Sequence, residues 1–244
     1  MNLNRRQFLK ASAAAGLALS AFPVFGADAP GRKARTALIG CGWWGNNILG
    51  EAMASGQCQI VGLCDVDTRF LDRTVERVKK GTSDTPKAYR DFRELLAKEK
   101  PEICIVATPD HWHPLQTIAA VQAGAHVYVE KPIGHTIREG RAMVKAARAA
   151  GRVVQVGTHR RVSPHNVAGR DFIRSGKVGK IGFIRAFVHY GGSGPERPRK
   201  NVEPPKDLDW DLWCGPGPLR PYNGDPDNPW GGGIHPRGFR SYLD

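Results

Sequence analysis

The sequence has no Cys-x-x-Cys pair, and its cysteines are odd in number: Cys41, Cys58, Cys64, Cys104 and Cys214. That excludes a disulfide framework and any zinc-finger spacing, and points to mostly buried thiols. No apolar stretch reaches the roughly 20 residues a helix needs to cross a bilayer. The run Ala11 to Phe22 is too short, so no stable membrane span is expected. Acids are scarce, 23 against 36 Lys and Arg, for a formal net charge of +13. Beyond the first 35 residues the excess is scattered rather than blocked, which excludes a nucleic-acid groove and leaves a solvated face or attraction for anionic ligands. What is present is ordinary globular usage, 41% hydrophobic and 24% charged in 244 residues. One large domain or two small ones fit that length.

The first 29 residues read as an address. Arg5-Arg6-Gln7-Phe8-Leu9-Lys10 precedes the short apolar run, and small residues follow near Gly26–Ala29. A cationic start, a short apolar core and small residues make a signal peptide, and the paired arginines resemble the twin-arginine export signal, with Asn4 where Ser or Thr is usual. The twin-arginine machinery exports folded proteins, so a periplasmic protein is expected, one that acquires its cofactor in the cytoplasm.

From Arg35 short apolar strands alternate with helices. Thr36–Ile39, Gln59–Leu63, Ile103–Val106, His126–Val129 and Val153–Val156 are strand candidates. Asn46–Ser55, Thr68–Lys80, Phe92–Lys98 (capped by Asp91), His113–Ala123 and Ile137–Ala150 are helices. Strands separated by single helices imply right-handed βαβ units and an α/β fold, a doubly wound parallel Rossmann sheet over residues 35–157. A helix over His165–Ser175 and a strand over Ile181–Tyr190 follow, predicting an incomplete α+β domain over 158–244. That strand carries apolar groups on both faces and needs a covering layer or a subunit interface. A full-length form is expected to be a homo-oligomer. Residues 191–236 hold 10 Pro and 9 Gly, too many for regular elements. Trp210, Trp213, Tyr222 and Trp230 nevertheless predict an ordered excursion packed on the body. Without a partner strand, residues beyond about 190 are expected to be readily cut or to drive self-association.

Gly40-Cys41-Gly42-Trp43-Trp44-Gly45 directly follows the first strand and opens a helix, and Asp65 stands 20 positions after Gly45 at the end of the second strand. Together these form the dinucleotide fingerprint. Gly40 permits the tight turn, Gly42 lets the backbone approach a pyrophosphate, and Gly45 lets helix and strand pack closely. Asp65 would accept hydrogen bonds from ribose hydroxyls and repel a 2′-phosphate, favouring NAD, while Arg69 keeps NADP open. Trp43 and Trp44 are either lids over the pyrophosphate or packing.

Two further strands end in Thr108-Pro109-Asp110-His111-Trp112-His113 and Glu130-Lys131-Pro132, at the carboxyl edge where ligands sit in such sheets. The glycine loop, TPDHWH, AGAHVYVEKP and AGRDFIRSGKVGKI together resemble the Gfo/Idh/MocA oxidoreductases from about Arg35 to Ile184, and the later DWDLWCGPGP resembles a stretch of their exported members. The resemblance implies hydride exchange between a nicotinamide cofactor and a sugar, cyclitol or related polyol. By it, Lys131 matches the catalytic lysine that hydrogen-bonds the reacting hydroxyl and relays its proton. Glu130 matches the acid bordering the nicotinamide, Pro132 the turn residue beside it, and Thr108, Pro109 and His113 the loop lining the cofactor. A lysine near a cationic nicotinamide can serve as a general base. Arg160 and Arg161 would meet substrate or form surface ion pairs. His111 and His113 lack the carboxylate or cysteine cluster that would complete a metal site, so no metal is expected.

Members of the family continue into a complete α+β domain carrying an aspartate–histidine motif beside the substrate. Gly231-Gly232-Gly233-Ile234-His235-Pro236 does not match it, so the expectation is a C-terminally truncated or degenerate chain, inactive alone. Three readings follow: a sugar-type dehydrogenase, a glycoside-processing enzyme using transient oxidation, and a catalytically silent NAD-binding fragment.

Overall fold

The structure is a computed structural model and describes residues 31–187, 200–224, 234–235 and 238–241. The chain divides into two units, 1–33 and 34–244. The signal segment, Trp230 and the glycines at 231–233 lie outside the described residues.

The second unit opens with β1 (Ala34–Ile39), α1 (Trp43–Ala54), β2 (Cys58–Cys64), α2 (Thr68–Gly81), β3 (Lys87–Tyr89) and α3 (Phe92–Glu99). It continues with β4 (Ile103–Val106), α4 (His113–Gln122), β5 (His126–Val129), α5 (Ile137–Ala150), β6 (Val154–Val156) and α6 (Pro164–Arg174). The strands form one parallel sheet in the order β3-β2-β1-β4-β5-β6. The order reverses between β1 and β4, which opens a crevice at their carboxyl ends.

Successive side chains on a strand face opposite ways, and β1 shows what that does. Ala37 and Ile39 join one core cluster with Phe92, Leu95, Val106, Val121, Val129 and Met143. Leu38 joins another with Leu49, Ile60, Leu63, Leu71, Val78 and Ile105. Two apolar faces need two helical layers, so the sheet is doubly wound. Each fully buried Leu or Ile contributes about 1.5–3 kcal/mol.

Local chemistry sets the helix ends. Asp91 caps α3 by accepting from Arg93 N at 2.8 Å. Thr136 and Glu139 form a reciprocal capping box on α5, and Gly151 ends that helix at φ +61°. β3 had no sequence signal: Lys87 and Ala88 are exposed on this three-residue edge strand, so nothing apolar marks it. Helix α1 begins three residues earlier than the sequence pattern, because the turn at Gly42 admits both tryptophans to the first turn.

Two expectations need correction. No strand forms over 181–187; these residues are extended coil with Phe183 78% and Phe187 74% exposed. A lone strand has no hydrogen-bond ladder, and no partner strand lies beside it among the described residues. Residues 188–190 lie outside the described set. The second concerns ready cleavage beyond about 190: the described residues past 200 are packed, as their aromatic content leads one to expect. Leu208, Trp210, Trp213, Cys214, Tyr222, Ile234 and Phe239 form a third buried cluster against Val66, around the short helix α7 (Trp210–Cys214). Trp210 and Trp213 stack with ring centroids 4.7 Å apart. Aromatic area replaces regular hydrogen bonding as the source of order there.

Among the described residues no helix is long and apolar enough to cross a membrane.

Candidate dinucleotide site

The glycine loop connects β1 to α1 by backbone approaches that only glycine allows. Gly40 sits at φ +98°, and a Cβ there would lie 2.7 Å from the Ala107 carbonyl. A Cβ on Gly45 would lie 1.9 Å from Gly40 O. Gly42 has nothing within 4 Å of its Cβ position, so its backbone faces open space. No side chain caps α1 and no acid occupies its first turn. The first N–H groups of a 12-residue helix therefore stay available to an anion. Asn46, which no sequence signal singled out, holds the loop: its Nδ2 donates to Cys41 O at 2.6 Å and Thr74 Oγ1 at 2.8 Å.

Asp65 follows β2 directly. Its Oδ2 accepts from Cys41 N at 2.7 Å and its Oδ1 from Asp67 N at 2.9 Å. Burial pushes the carboxyl up to about 6, against the opposing pull of those backbone N–H groups. A carboxylate has about four acceptor positions, so these N–H groups do not exhaust it. Asp67 caps α2 by accepting from Arg69 N, and it binds the Arg69 guanidinium through Nε at 3.0 Å and Nη2 at 2.6 Å. Arg69, read above as an opening for NADP, is thereby engaged.

At the ends of β4 and β5, His113 is buried between two main-chain carbonyls. Its Nδ1 lies 2.6 Å from Pro132 O and its Nε2 2.9 Å from Thr108 O. The ring ties the Thr108 loop to the Glu130–Pro132 turn rather than opening onto the crevice. Thr108 Oγ1 donates to Gln116 Oε1 at 2.6 Å. Pro109 precedes a short 3-10 turn over Asp110–Trp112. The Lys131–Pro132 bond is cis.

Glu130 is 3% exposed. Its Oε2 accepts from Lys131 N at 3.1 Å, whereas Oε1 is buried with no hydrogen bond of normal geometry. Gly157, at the end of β6, presses against it: a Cβ there would lie 2.4 Å from Oε1 and 2.9 Å from the Tyr128 hydroxyl. Burial and the nearby carboxylate push the Tyr128 hydroxyl up. Sequence reasoning missed Gly157 and Tyr128, since contacts between two neighbouring strand ends have no linear signature. Lys131 is exposed, and its side chain makes no ion pair with Glu130.

Trp43 stands 67% exposed beside the glycine loop. Trp44 packs against His159, centroids 5.2 Å apart, with its indole Nε1 buried and unpartnered. Arg160 and Arg161 are exposed in the turn after β6 and form no ion pair among the described residues. His111 Nε2 lies 3.0 Å from Trp213 O, and no cluster of three metal-ligating side chains occurs among the described residues. Burial pushes the Cys41, Cys64 and Cys104 thiols up, the last to about 12, as expected of inert buried cysteines.

The glycine turn, uncapped helix start and acid after β2 define a dinucleotide-binding α/β protein. The open backbone at Gly42 and the uncapped start of α1 fit the phosphates of such a ligand. The chain belongs to the Gfo/Idh/MocA oxidoreductase family with its NAD-binding Rossmann fold, which matches residues 34–158. A twin-arginine translocation signal occupies residues 2–21, the mark of export, to the periplasm in bacteria.

The chain is 36% identical over 155 residues to a glycosyl hydrolase family 109 protein of Stenotrophomonas maltophilia, covering 61% of this chain and 34% of that protein. It is 30% identical over 162 residues to an alpha-N-acetylgalactosaminidase of Shewanella oneidensis, covering 57% and 35%. The WlbA dehydrogenase of Bordetella pertussis, solved with NADH and UDP-GlcNAcA, superposes with a TM-score of 0.55 at 29% identity, over 61% of this chain and 43% of that one. The chain thus spans about a third of the curated relatives' length.

Proposed function

We propose that this protein transfers hydride between a nicotinamide cofactor, NAD in preference to NADP, and a CH–OH carbon of a sugar, cyclitol or related polyol. On this reading residues 35–157 hold the cofactor and residues 158–244 contribute to the substrate side. The observation that carries it is the convergence of the Gly42 opening, Asp65, the buried Glu130 and the exposed Lys131 at one edge of the sheet.

Gly40, Gly42 and Gly45 shape the bed for a pyrophosphate, and the start of α1 offers N–H groups to it. Asp65 takes the ribose hydroxyls. Glu130, held by Lys131 N and pressed by Gly157, borders the nicotinamide end. The bound cofactor supplies a carbon that accepts or returns a hydride. Lys131 Nζ hydrogen-bonds the reacting hydroxyl and moves its proton. Trp43 and Trp44 screen the crevice from water, and Arg160 and Arg161 meet the substrate.

A second reading is favoured by the names of two relatives, a glycosyl hydrolase family 109 protein and an alpha-N-acetylgalactosaminidase. There the same hydride step is transient: oxidation labilises a glycosidic bond and the hydride is returned, with no net redox change. Product analysis separates the two. Accumulating reduced cofactor marks a dehydrogenase; glycoside cleavage without it marks the transient mechanism. In either case Lys131→Ala should abolish turnover while leaving NAD affinity within about twofold, because proton relay matters in the transition state and not in cofactor binding. Undiminished turnover in the variant would remove Lys131 from the mechanism. A protein that binds NAD yet neither reduces it nor cleaves any glycoside would overturn the reading in favour of a silent binder.

A further inference from the structure

The described segment 207–215 joins the two loops that flank the dinucleotide crevice. On one side it pairs with the loop after β2: Thr68 N donates to Asp207 O at 3.0 Å, Asp209 N donates to Val66 O at 3.0 Å, and Asp67 and Leu208 form an antiparallel bridge between them. On the other it holds the loop after β4: Trp112 Nε1 donates to Leu212 O at 3.0 Å, and His111 Nε2 lies 3.0 Å from Trp213 O. Gly215 seals that second contact. It sits at φ +58°, and a Cβ there would come within 2.2 Å of the Trp112 ring. The aromatic cluster is continuous between the two attachments. Val66 packs on it, Trp213 lies 5.3 Å from His235, and His111 lies 5.7 Å from both Trp213 and Phe239.

The sheet order makes this placement functional. β2 and β4 are the two neighbours of β1, and the glycine loop rises between them. At about 4.8 Å per strand their ends stand about 10 Å apart, the two lips of the crevice. One segment hydrogen-bonded to both lips fixes their separation. It also bridges the backbone of Asp67, whose carboxylate binds Arg69 through two nitrogens. A guanidinium held in this way cannot turn to a 2′-phosphate without breaking a charge-assisted pair.

We propose that segment 207–215 is a clamp on the adenosine half of the site, setting the affinity for the adenosine diphosphate end of the cofactor and keeping Arg69 from accepting a 2′-phosphate. The proposal rests on the dinucleotide reading above and adds a specificity device from outside the Rossmann unit. Trp112 and Gly215 act in it as positioning residues.

The test uses the full chain and calorimetric titration with NAD, NADP, ADP-ribose and nicotinamide mononucleotide. Gly215→Ala should push Trp112 off the segment and weaken NAD and ADP-ribose by the same factor, about tenfold or more. NADP should weaken less, so that the preference for NAD narrows, and nicotinamide mononucleotide should bind as before. Trp112→Phe keeps a ring but removes the N–H donated to Leu212, and should show the same pattern at smaller size. It carries the test if Gly215→Ala fails to fold. Unchanged ADP-ribose affinity in a folded variant whose segment trypsin now cleaves at Lys206 overturns the clamp. An equal loss for both halves of the cofactor overturns it too, because that would be general loosening. If the parent chain binds neither NAD nor ADP-ribose, the dinucleotide reading itself fails, a result distinct from the other two.

Discussion

Asp65 is asked to serve two ends at once. It fastens the glycine loop by accepting from Cys41 N, and it keeps acceptor positions for ribose hydroxyls. Burial lifts its carboxyl to about 6, so it is charged at neutral pH and protonated only in mild acid. The folded-state value lies above the unfolded one, so the fold favours the protonated acid and the group's contribution to stability falls as pH rises from about 4 to 6. Ligand binding runs the other way, because hydroxyl donors need the carboxylate. NAD affinity should be flat above about pH 7 and weaken below about 6, by at most about tenfold per unit for one linked proton. Asp65→Ser should flatten that profile and bring NADP affinity up towards that of NAD. Fluorescence titration across pH with both cofactors measures it; a parent profile identical to the variant's would exclude Asp65 from the ribose contact. His113 shows the opposite division of labour. The resemblance places it along the cofactor, and its two ring nitrogens face the Thr108 and Pro132 carbonyls, so it braces the two loops.

At the level of elements, most of the Rossmann unit was legible because each rule acts locally. Apolar runs of four to six residues marked the buried strands, Asp91 marked a helix start, and glycines marked helix ends. Two elements were misread for physical reasons. β3 is an edge strand of three residues with exposed Lys87 and Ala88, so no apolar pattern exists to see. The stretch 181–187 has the pattern of a strand but no ladder partner among the described residues, and pattern alone does not satisfy backbone hydrogen bonds. The aromatic segment around α7 adds a pH dependence. Burial holds His235 down at about 4, beside Asp67 and Arg69, and holds His111 below its ordinary value. The folded-state values lie below the unfolded ones, so the docked segment is fully stable above about pH 6.5 and loses stability as pH falls towards 4. The loss from His235 is of order 3 kcal/mol, a large share of a typical domain's stability. The urea midpoint followed by tryptophan fluorescence should fall across that window, and a His235→Gln variant should show a shallower fall. Equal midpoints at pH 7 and 4.5 would count against it.

For the whole molecule, the exposed apolar side chains of 181–187 and the anchored segment beyond 200 predict an ordered sequence of cleavage. Trypsin should cut first at Lys177, Lys180 or Arg185, all exposed. The fragment carrying 200–224 should then stay bound to the Rossmann unit through size-exclusion chromatography, released only by denaturant, because its hydrogen bonds and buried tryptophans lie on that unit. Prompt separation of the two pieces would contradict the packing. Phe183→Ser with Phe187→Ser should reduce any concentration-dependent self-association and shift the melting temperature little, since both rings are mostly exposed.

The chain's own letters determined the export address, the parallel α/β sheet, the glycine turn with its acid 20 residues on, and the thiols with no partners. Each depends on neighbours in sequence or on a period of two or about 3.6 residues, which a linear reading contains. Tertiary structure alone decided that Gly157 presses on Glu130, that His113 lies between two carbonyls and that Arg69 is held by Asp67, the cap of α2. It also decided that a Pro- and Gly-rich segment some 140 residues past the glycine loop's acid returns to grip both lips of the crevice. Those contacts join strand ends and loops distant in sequence, and burial and hydrogen bonding select them only once the sheet has brought the ends together.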